Sequence, residues 1–283
     1  MKSIVLAGNP VEHSYSPFMH NAAFRALGLQ HEYEYSLQTL RSDELAEFVT
    51  SIAVGDLEGA NVTIPHKQSI MVHLSKITRQ AQSIGSVNTL YREDDTVVGC
   101  NTDMLGLVRV FRKSEIEIKG ASAVVLGAGG AARSVVYALA SLNAENVLIY
   151  NRTLSKARKL VEDFENHFST PLAATTCPLG HDALWGYDLL LNCTPVGMKG
   201  HSAGETPIKK ELLHDHLVVM DLVYNPVETR LLRDANSVGC RTVNGIALLI
   251  QQGAASFETW TGLKPPVDVM RNELLRKLEG ESQ

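Results

Sequence analysis

The chain has 283 residues, is 45% hydrophobic and 20% charged, and carries a formal net charge of -5. This composition is typical of a globular protein of about two domains, with enough apolar material for a core in each. The negative net charge gives no sign of the clustered excess of Lys and Arg that nucleic-acid binding needs, so we expect a small-molecule partner and no nucleic acid. No apolar run approaches the roughly 18 residues that span a bilayer, so we expect no membrane partner.

Strands and helices are predicted to alternate along the first third of the chain. Apolar runs predict strands at residues 4–7, 32–36, 59–62 and 86–91. Helical spacing predicts helices between them, at residues 17–27, 42–52 and 67–72. This alternation indicates an α/β fold with mostly parallel strands.

The same alternation continues through the rest of the chain. The predicted strands lie at residues 122–126, 147–150, 188–192, 218–222 and 241–243, and the predicted helices at residues 105–113, 246–260 and 267–278. We place the domain boundaries near Asp103 and Gly245. Residues 1–103 then form a first domain, on which residues 246–283 pack back, and residues 104–245 form a second.

The cysteines and the N-terminus indicate the compartment. Cys100, Cys177, Cys193 and Cys240 stand far apart, without C-x-x-C pairs or metal-ligand spacing, so we expect free thiols and no bound metal. The N-terminal residues lead directly into a short apolar segment, without the longer apolar region and cleavage site of a signal peptide. We therefore expect a cytoplasmic protein, either a monomer or a homodimer.

A glycine-rich turn, GAGGAA at residues 127–132, follows the predicted strand 122–126. A buried strand that runs through such a turn into a helix places free backbone N–H groups and the positive end of the helix dipole beside a pyrophosphate. Taken alone, the pattern indicates either a dinucleotide site or only a tight turn between a strand and a helix.

The residues after the next predicted strand bear on the choice of dinucleotide. An Asp or Glu at this position would bind the ribose of NAD, whereas Asn151, Arg152 and Thr153 stand there, with Lys156 and Arg158 close behind. An arginine in this region accommodates a 2′-phosphate, so NADP is favoured over NAD. The alternative is an ordinary solvated basic start of a helix.

Polar residues of the first domain form two candidate clusters in loops. Ser14 and Ser16 precede a helix that Pro17 can begin, and either they bind a ligand or Ser16 caps the helix. In the second cluster, an extended segment places Asn61 and Thr63 on one side, with Lys67 at the start of the next predicted helix. Lys67 is either an exposed lysine or an acid/base group in a cleft.

Two further polar segments complete the candidate site. Asn88 lies within GSVNT, and Asp103 ends the first domain. An aspartate beside Lys67 would hold the amine in position and help to pass a proton. Together these residues supply donors and acceptors for a polyhydroxylated ligand that carries a carboxylate.

Nine segments, in chain order, resemble those of the shikimate dehydrogenase family: HSYSPFMHNAAF, NVTIPHK, IGSVNT, GCNTD, GAGGAARS, NRT, NCTPVGM, DLVYNP and GIALLIQQGAASFETWTG. The resemblance covers nearly the whole chain. It implies an N-terminal α/β substrate domain and a Rossmann NADP-binding domain. It also implies NADPH-dependent, reversible reduction of 3-dehydroshikimate to shikimate, in the pathway to chorismate and the aromatic amino acids.

The resemblance assigns roles to particular residues. The substrate contacts of the family fall on polar residues: Ser14, Ser16, Asn61, Thr63, Lys67, Asn88, Asp103, Tyr224 and Gln252. Two of these, Lys67 and Asp103, occupy its catalytic positions. The cofactor contacts fall on the glycine turn and on residues that follow later strands: Gly127, Ala128, Gly129, Gly130, Ala131, Asn151, Arg152, Thr153, Lys156, Thr194, Val223 and Gly245.

Three residues depart from the family pattern. Lys156 stands where some members carry an arginine, Met104 replaces a common glycine, and Leu248 replaces a frequent methionine. These changes bear on cofactor preference, rate and fit rather than on the reaction. The alternatives are a quinate/shikimate dehydrogenase that uses NAD, a shikimate-binding protein without turnover, and an unrelated NADP-binding reductase.

Overall fold

The computed structural model describes residues 1–176 and 183–280. Within these residues the strands are β1 (Lys2–Gly8), β2 (Tyr33–Thr39), β3 (Gly59–Val62), β4 (Lys76–Ile77), β5 (Thr89–Glu93), β6 (Thr96–Cys100), β7 (Ser122–Leu126), β8 (Asn146–Tyr150), β9 (Leu172–Thr175), β10 (Leu189–Asn192), β11 (Val218–Asp221) and β12 (Arg241–Val243). The α-helices are α1 (Ser16–Ala26), α2 (Leu45–Ala53), α3 (Arg79–Ile84), α4 (Thr102–Lys113), α5 (Gly130–Ser141), α6 (Leu154–Phe164), α7 (Arg230–Val238), α8 (Gly245–Thr261) and α9 (Val267–Gly280).

The chain folds into two compact units. The first consists of Met1–Gly106 together with Ile250–Gln283, and the second is Leu107–Leu249. Both passages of the chain from one unit to the other fall within a helix, the first within α4 and the second within α8.

The first unit contains a mixed sheet with the strand order β2-β1-β3-β5-β6-β4. Strand β1 pairs in parallel with β2 and β3, but β5 is antiparallel to both β3 and β6. Three of the five strand pairings of this sheet are parallel, including β4 with β6, so the expectation of mostly parallel strands is confirmed, and only β5 runs antiparallel to its neighbours. The reason is a two-residue turn between Glu93 and Thr96, in which Asp94 has a φ of 53°. Such a turn forms an antiparallel hairpin that needs no crossover helix.

Three other predicted elements of the first unit differ from those observed. The predicted helix 67–72 is only a 3-10 helix, Ser69–His73, and the predicted strand 86–91 is β5, shifted towards the C-terminus. The predicted helix 42–52 is divided into a 3-10 helix, Ser42–Glu44, and α2. Helix α3 was not predicted, although Thr78 caps its start and Gly85, with a φ of 66°, ends it.

A buried aromatic cluster packs α1 against α8 within the first unit. His20 is fully buried, and its ring stacks on Tyr35 at a centroid distance of 4.4 Å and lies 5.5 Å from Trp260. Neither ring nitrogen of His20 has a hydrogen-bond partner among the described residues. Burial lowers the pKa of His20 to about 3. This side chain is therefore neutral at pH 7 in the folded protein.

The second unit contains a parallel sheet with the strand order β12-β11-β10-β7-β8-β9. In order of appearance within the unit, this is the arrangement 6-5-4-1-2-3 of a Rossmann fold, which reverses between β7 and β10. Strand β7 is buried along its whole length, as expected of a central strand covered on both faces. Strand β9 was not predicted, because its sequence, LAAT, is only weakly apolar. Ligands of such folds bind at the carboxyl ends of the strands beside the reversal point.

Within residues 1–176 and 183–280, no helix combines the length and apolar character needed to cross a membrane. The same described residues contain no group of three or more His, Cys, Asp or Glu that could hold a metal ion. Cys100, Cys193 and Cys240 are free thiols, whereas Cys177 lies outside the described residues. Burial raises the pKa of Cys100 to about 12 and also raises the pKa of Cys193, so neither is a reactive thiolate at neutral pH.

Candidate active site

The paired serines lie at the start of α1. Ser16 is the first residue of this helix, and Tyr15, which precedes it, makes no capping hydrogen bond with its side chain. The Ser14 hydroxyl lies 3.2 Å from the Ser16 hydroxyl and accepts a hydrogen bond from the Ser16 backbone N–H at 3.3 Å. The interpretation of Ser16 as a helix cap is therefore wrong. Both hydroxyls lie at the positive end of the helix dipole, which favours an anion.

The segment after β3 places Thr63 and Lys67. The backbone N–H of Thr63 donates to Ala7 at 2.9 Å, and the N–H of Val87 donates to the Lys67 carbonyl at 2.8 Å. A Cβ atom at Gly8 would lie 2.8 Å from the Ile64 carbonyl oxygen, so glycine permits the close approach of this segment to β1. The loop is thus fixed at both ends, and Thr63 is half-buried within it.

Lys67 and Asp103 form an ion pair within the first unit. The Lys67 Nζ lies 2.6 Å from the Asp103 Oδ2, and the side chains are 16% and 11% exposed. Asp103 lies in the first turn of α4, where the helix dipole favours a negative charge. The interpretation of Lys67 as an exposed surface lysine is therefore wrong, and the pair retains access to solvent or ligand.

Asn88 holds the other oxygen of Asp103. Its side-chain oxygen accepts from the Thr102 backbone N–H at 2.7 Å, and its Nδ2 donates to Asp103 Oδ1 at 2.9 Å. Because a backbone N–H can only donate, it fixes which end of the amide is the oxygen and turns the NH2 group towards Asp103. The two oxygens of Asp103 therefore have different partners, Asn88 on one and Lys67 on the other.

A buried cluster of hydroxyls lies behind Asn88. The hydroxyl oxygens of Thr89, Thr102 and Ser256 lie 2.9 to 3.0 Å from one another. Asn61 donates to this cluster and is 5% exposed. We call Thr89, Thr102 and Ser256 the hydroxyl triad. These residues were not predicted from the sequence, although Ser256 follows Gln252 by four positions and so lies on the same face of α8.

Gln252 lies in α8, close to the first turns of α4. A Cβ atom at Gly106 would lie 2.7 Å from the Gln252 backbone nitrogen and 3.0 Å from its Cα, so only glycine permits this approach of the two helices. Met104, one of the departures from the family pattern, is buried and accepts a hydrogen bond from the Gln80 amide at 3.2 Å. The first unit therefore contains all the predicted substrate residues except Tyr224, which follows β11 in the second unit.

The glycine turn of the second unit connects β7 to α5. Gly127 has a φ of 109°, which favours glycine over residues with side chains, and a Cβ atom there would also lie in tight contact, 3.3 Å from the Cys193 backbone. A Cβ atom at Gly129 would meet no described heavy atom within 4 Å. Helix α5 begins at Gly130, next to this open space. The turn thus has the open, amide-lined shape that receives a phosphate.

The residues after β8 are basic and exposed. Arg152, Thr153 and Lys156 are all exposed, and the half-buried Asn151 donates to the Thr153 carbonyl at 2.8 Å. Helix α6 begins at Leu154, without a side-chain cap. The cationic side chains of Arg152 and Lys156 and the uncapped N-terminus of α6 therefore lie at the position where a carboxylate would select NAD.

A buried network fixes the ends of β10 and β11. Asn192 accepts from Thr194 at 3.0 Å and donates to Asp221 at 2.9 Å, and Asp221 also accepts from the Val223 N–H at 3.0 Å. Burial raises the pKa of Asp221. A Cβ atom at Gly245 would lie 2.6 Å from the Val223 backbone. This network positions Thr194, Val223 and Gly245. Asn192 and Asp221 were not predicted as functional residues from the sequence.

The fold and these two sites define a two-unit α/β protein of the class that carries a dinucleotide-binding Rossmann unit. Three family models match the chain: the shikimate dehydrogenase substrate binding domain at residues 6–90, shikimate / quinate 5-dehydrogenase at residues 110–194, and the shikimate 5′-dehydrogenase C-terminal domain at residues 245–275. A relative from Methanocaldococcus jannaschii, described as shikimate dehydrogenase (NADP(+)), is 41% identical over 98% of this chain and 97% of its own length.

Solved structures agree with these matches. A crystal structure of shikimate dehydrogenase in complex with NADP+ has a TM-score of 0.89 and 40% identity, covering 98% of this chain and 96% of that chain. A shikimate 5-dehydrogenase from Listeria monocytogenes, in complex with shikimate and NAD, has a TM-score of 0.88 and 34% identity, covering 97% and 96%. The chain belongs to the shikimate dehydrogenase family.

Proposed function

We propose that this protein is an NADP-dependent shikimate dehydrogenase, an oxidoreductase that reversibly reduces 3-dehydroshikimate to shikimate. The observation that carries the proposal is the ion pair of Lys67 and Asp103, 2.6 Å apart and only partly exposed. A family member that lacked this pair could bind shikimate without turning it over. The pair supplies the acid/base group that a ketone reduction needs.

The cofactor site that we propose lies in the second unit. The open space at Gly129 and the free start of α5 fit a pyrophosphate, and Arg152 with Lys156 fits the 2′-phosphate of NADP. The full set of proposed cofactor contacts is Gly127, Ala128, Gly129, Gly130, Ala131, Asn151, Arg152, Thr153, Lys156, Thr194, Val223 and Gly245. When bound, NADPH supplies the hydride for the ketone carbon.

The substrate site that we propose lies in the first unit. Ser14 and Ser16 hold the carboxylate at the start of α1, where the helix dipole adds to their hydrogen bonds. Thr63, Asn88 and Gln252 orient the ring and its hydroxyls. Asn61 is a further proposed substrate contact, and its amide also donates to the Asn88 backbone carbonyl at 3.2 Å.

Lys67 and Asp103 carry the proton transfer in this proposal. The Lys67 ammonium donates a proton to the oxygen of the forming alkoxide and takes it back in the reverse reaction. Its positive charge also stabilises the negative charge that develops on that oxygen. Asp103 keeps the amine in position, because Asn88 fixes its Oδ1 and leaves Oδ2 for Lys67.

Substitution of Lys67 tests this assignment. Lys67→Ala should lower kcat for shikimate oxidation by about a hundredfold or more, with a much smaller effect on shikimate binding. The matched control is Lys76→Ala, because Lys76 forms an exposed ion pair with Glu93 in the same unit. Steady-state kinetics and shikimate titration measure the two effects. Turnover of Lys67→Ala close to that of the unmodified protein would refute the assignment.

A second assay distinguishes the related activities. NADPH or NADH absorbance is followed with shikimate and with quinate as separate substrates, which gives four rates. We expect turnover of shikimate with NADP+ to dominate. Dominant turnover of quinate with NAD+ would instead indicate a quinate/shikimate dehydrogenase, and no turnover in any arm would indicate a binding protein. We further propose that the protein is cytoplasmic, is a monomer or a homodimer, and has no nucleic-acid partner. Size-exclusion chromatography with light scattering measures its oligomeric state.

A further inference from the structure

We propose that Ser256 is a positioning residue, which acts through the hydroxyl triad and Asn88 to hold Asp103 against Lys67. This inference rests on the proposed function, because it assigns a residue to the same catalytic pair. Ser256 lies in the interior of α8 and has no exposed surface. It therefore cannot touch substrate or cofactor, and its effect has to pass through its neighbours.

Ser256 connects three separate parts of the first unit. Its hydroxyl lies 3.0 Å from the Thr89 hydroxyl of β5 and 2.9 Å from the Thr102 hydroxyl of α4. It also accepts from the Asn61 amide of β3 at 3.0 Å and donates to the Gln252 carbonyl at 3.1 Å. Ser256 therefore ties α8 to the strands behind the catalytic pair.

The chain of contacts from Ser256 to the catalytic pair is short. Thr102 accepts from the Asn88 Nδ2 at 3.0 Å, and the same nitrogen donates to Asp103 Oδ1 at 2.9 Å. The two hydrogens of this NH2 group thus have one partner each, Thr102 and Asp103. Because Ser256 holds the Thr102 hydroxyl, it fixes one of the two acceptors that orient the Asn88 amide.

Asn61 completes this support from the other side. Its NH2 group faces the Asn88 carbonyl at 3.2 Å, which can only accept, so its side-chain oxygen faces the Tyr35 hydroxyl at 2.8 Å. Both ends of the Asn61 amide are thus used within the protein. The triad, Asn61 and Asn88 form one buried network in which every polar group has a partner, and such networks hold a single arrangement.

Removal of one hydroxyl tests the inference. Ser256→Ala should lower kcat for shikimate oxidation by about tenfold, because Asp103 loses its fixed direction, while KM for shikimate changes by less than about threefold. The matched control is Ser86→Ala. Ser86 is equally buried in the same unit, but its hydroxyl has no partner among the described residues. The control should retain the kcat of the unmodified protein.

A second pair of variants provides a test if Ser256→Ala does not fold. Thr102→Val removes the next hydroxyl of the chain and keeps the shape, so it should lower kcat by a similar factor of about ten. Thr102→Ser keeps the hydroxyl and should restore most of the kcat. Thermal unfolding of each variant is measured alongside, because a merely structural role would lower the melting temperature without changing kcat of the folded enzyme.

Three results would overturn the inference. They are a kcat of Ser256→Ala within about twofold of the unmodified protein, an equal loss in Ser86→Ala, and a loss in Thr102→Val that Thr102→Ser does not restore. Failure of the unmodified protein to oxidise shikimate would instead contradict the proposed function, so the two failures are distinguishable.

Discussion

At the scale of single residues, the behaviour of a charged or titratable side chain in this protein depends on its burial and on its hydrogen-bond partners. Asp103 has a donor on each carboxylate oxygen and keeps a small exposed surface, which suits a group that has to hold a charged amine. His20 is the opposite case, since it is fully buried and both ring nitrogens lack partners among the described residues. The cost of burying His20 therefore depends on pH, whereas the hydrogen bonds of Asp103 are part of the proposed active site.

The burial of His20 predicts a loss of stability in acid. Its pKa falls from 6.5 to about 3 on folding, so between these values the unfolded chain binds more protons than the folded one. Stability therefore falls as the pH drops below 6.5, and His20 should account for about 2 kcal/mol of that fall by pH 5. His20→Leu removes the titrating group and keeps a similar volume. Urea unfolding at pH 7.5 and pH 5.0 measures the difference.

The variant should match the unmodified protein within about 1 kcal/mol at pH 7.5, because an unpaired polar ring is replaced by an apolar side chain. At pH 5.0 it should be the more stable of the two. An equal loss of stability in both proteins between the two pH values would show that His20 does not titrate as inferred.

At the scale of elements, close packing of α4 and α8 places Gln252. A methyl group at Gly106 would lie 2.7 Å from the Gln252 backbone nitrogen, so one helix has to move. Alanine gains about 1 kcal/mol of helix propensity over glycine, which the clash should exceed. Gly106→Ala should therefore lower the melting temperature and raise KM for shikimate by about tenfold, since Gln252 is displaced.

Gly280→Ala is the matched control for this prediction. It also changes a helical glycine, but its Cβ would meet no described heavy atom within 4 Å. The control should leave KM unchanged. An unchanged KM and melting temperature in Gly106→Ala would mean that the two helices adjust without moving Gln252.

The sequence predicted the strands of the second unit more accurately than those of the first. Strands β7, β10 and β11 are buried, nearly continuous apolar runs, which is the pattern of a parallel sheet. The hairpin of β5 and β6 was missed because Asp94 and Asp95 form its turn in place of the more recognisable Asn-Gly or Asp-Gly. Helix α3 carries both of its end signals in the sequence, Thr78 before its start and Gly85 after its end.

The ion pair of Lys67 and Asp103 was predicted from two polar segments 36 positions apart, and the structure brings their side chains together. Ser256 was not predicted, since a serine within an apolar helix has no distinctive sequence pattern. Its importance depends on which strands the helix covers, and that follows only from the packed fold. The assignment of ligand contacts to all these residues stays a prediction.

At the scale of the whole molecule, cofactor binding should appear as added stability. NADP+ at a hundred times its Kd should add about 2.7 kcal/mol, and NAD+ at the same concentration should add less. Arg152 is exposed at the start of α6, where it would meet the 2′-phosphate. Arg152→Ala should therefore reduce the shift in melting temperature with NADP+ and leave the shift with NAD+ unchanged.

Arg41→Ala serves as the control, because Arg41 is an exposed arginine of the first unit that pairs with Asp43. It should retain the full difference between the two dinucleotides. Equal shifts with NADP+ and NAD+ in the unmodified protein would mean that the basic residues after β8 do not discriminate between them.

The first unit is discontinuous in sequence, yet its two broken ends are neighbours in space. Gly106, where the chain leaves this unit, packs directly on Gln252, just after the point of return. The second unit, the 143 residues Leu107–Leu249, is therefore inserted between two neighbouring positions of the first unit, and among the described residues the sheet of the first unit contains no strand from the insertion. A short peptide between Gly106 and Ile250 would span the gap left by its excision and leave one continuous chain that keeps the whole sheet of the first unit.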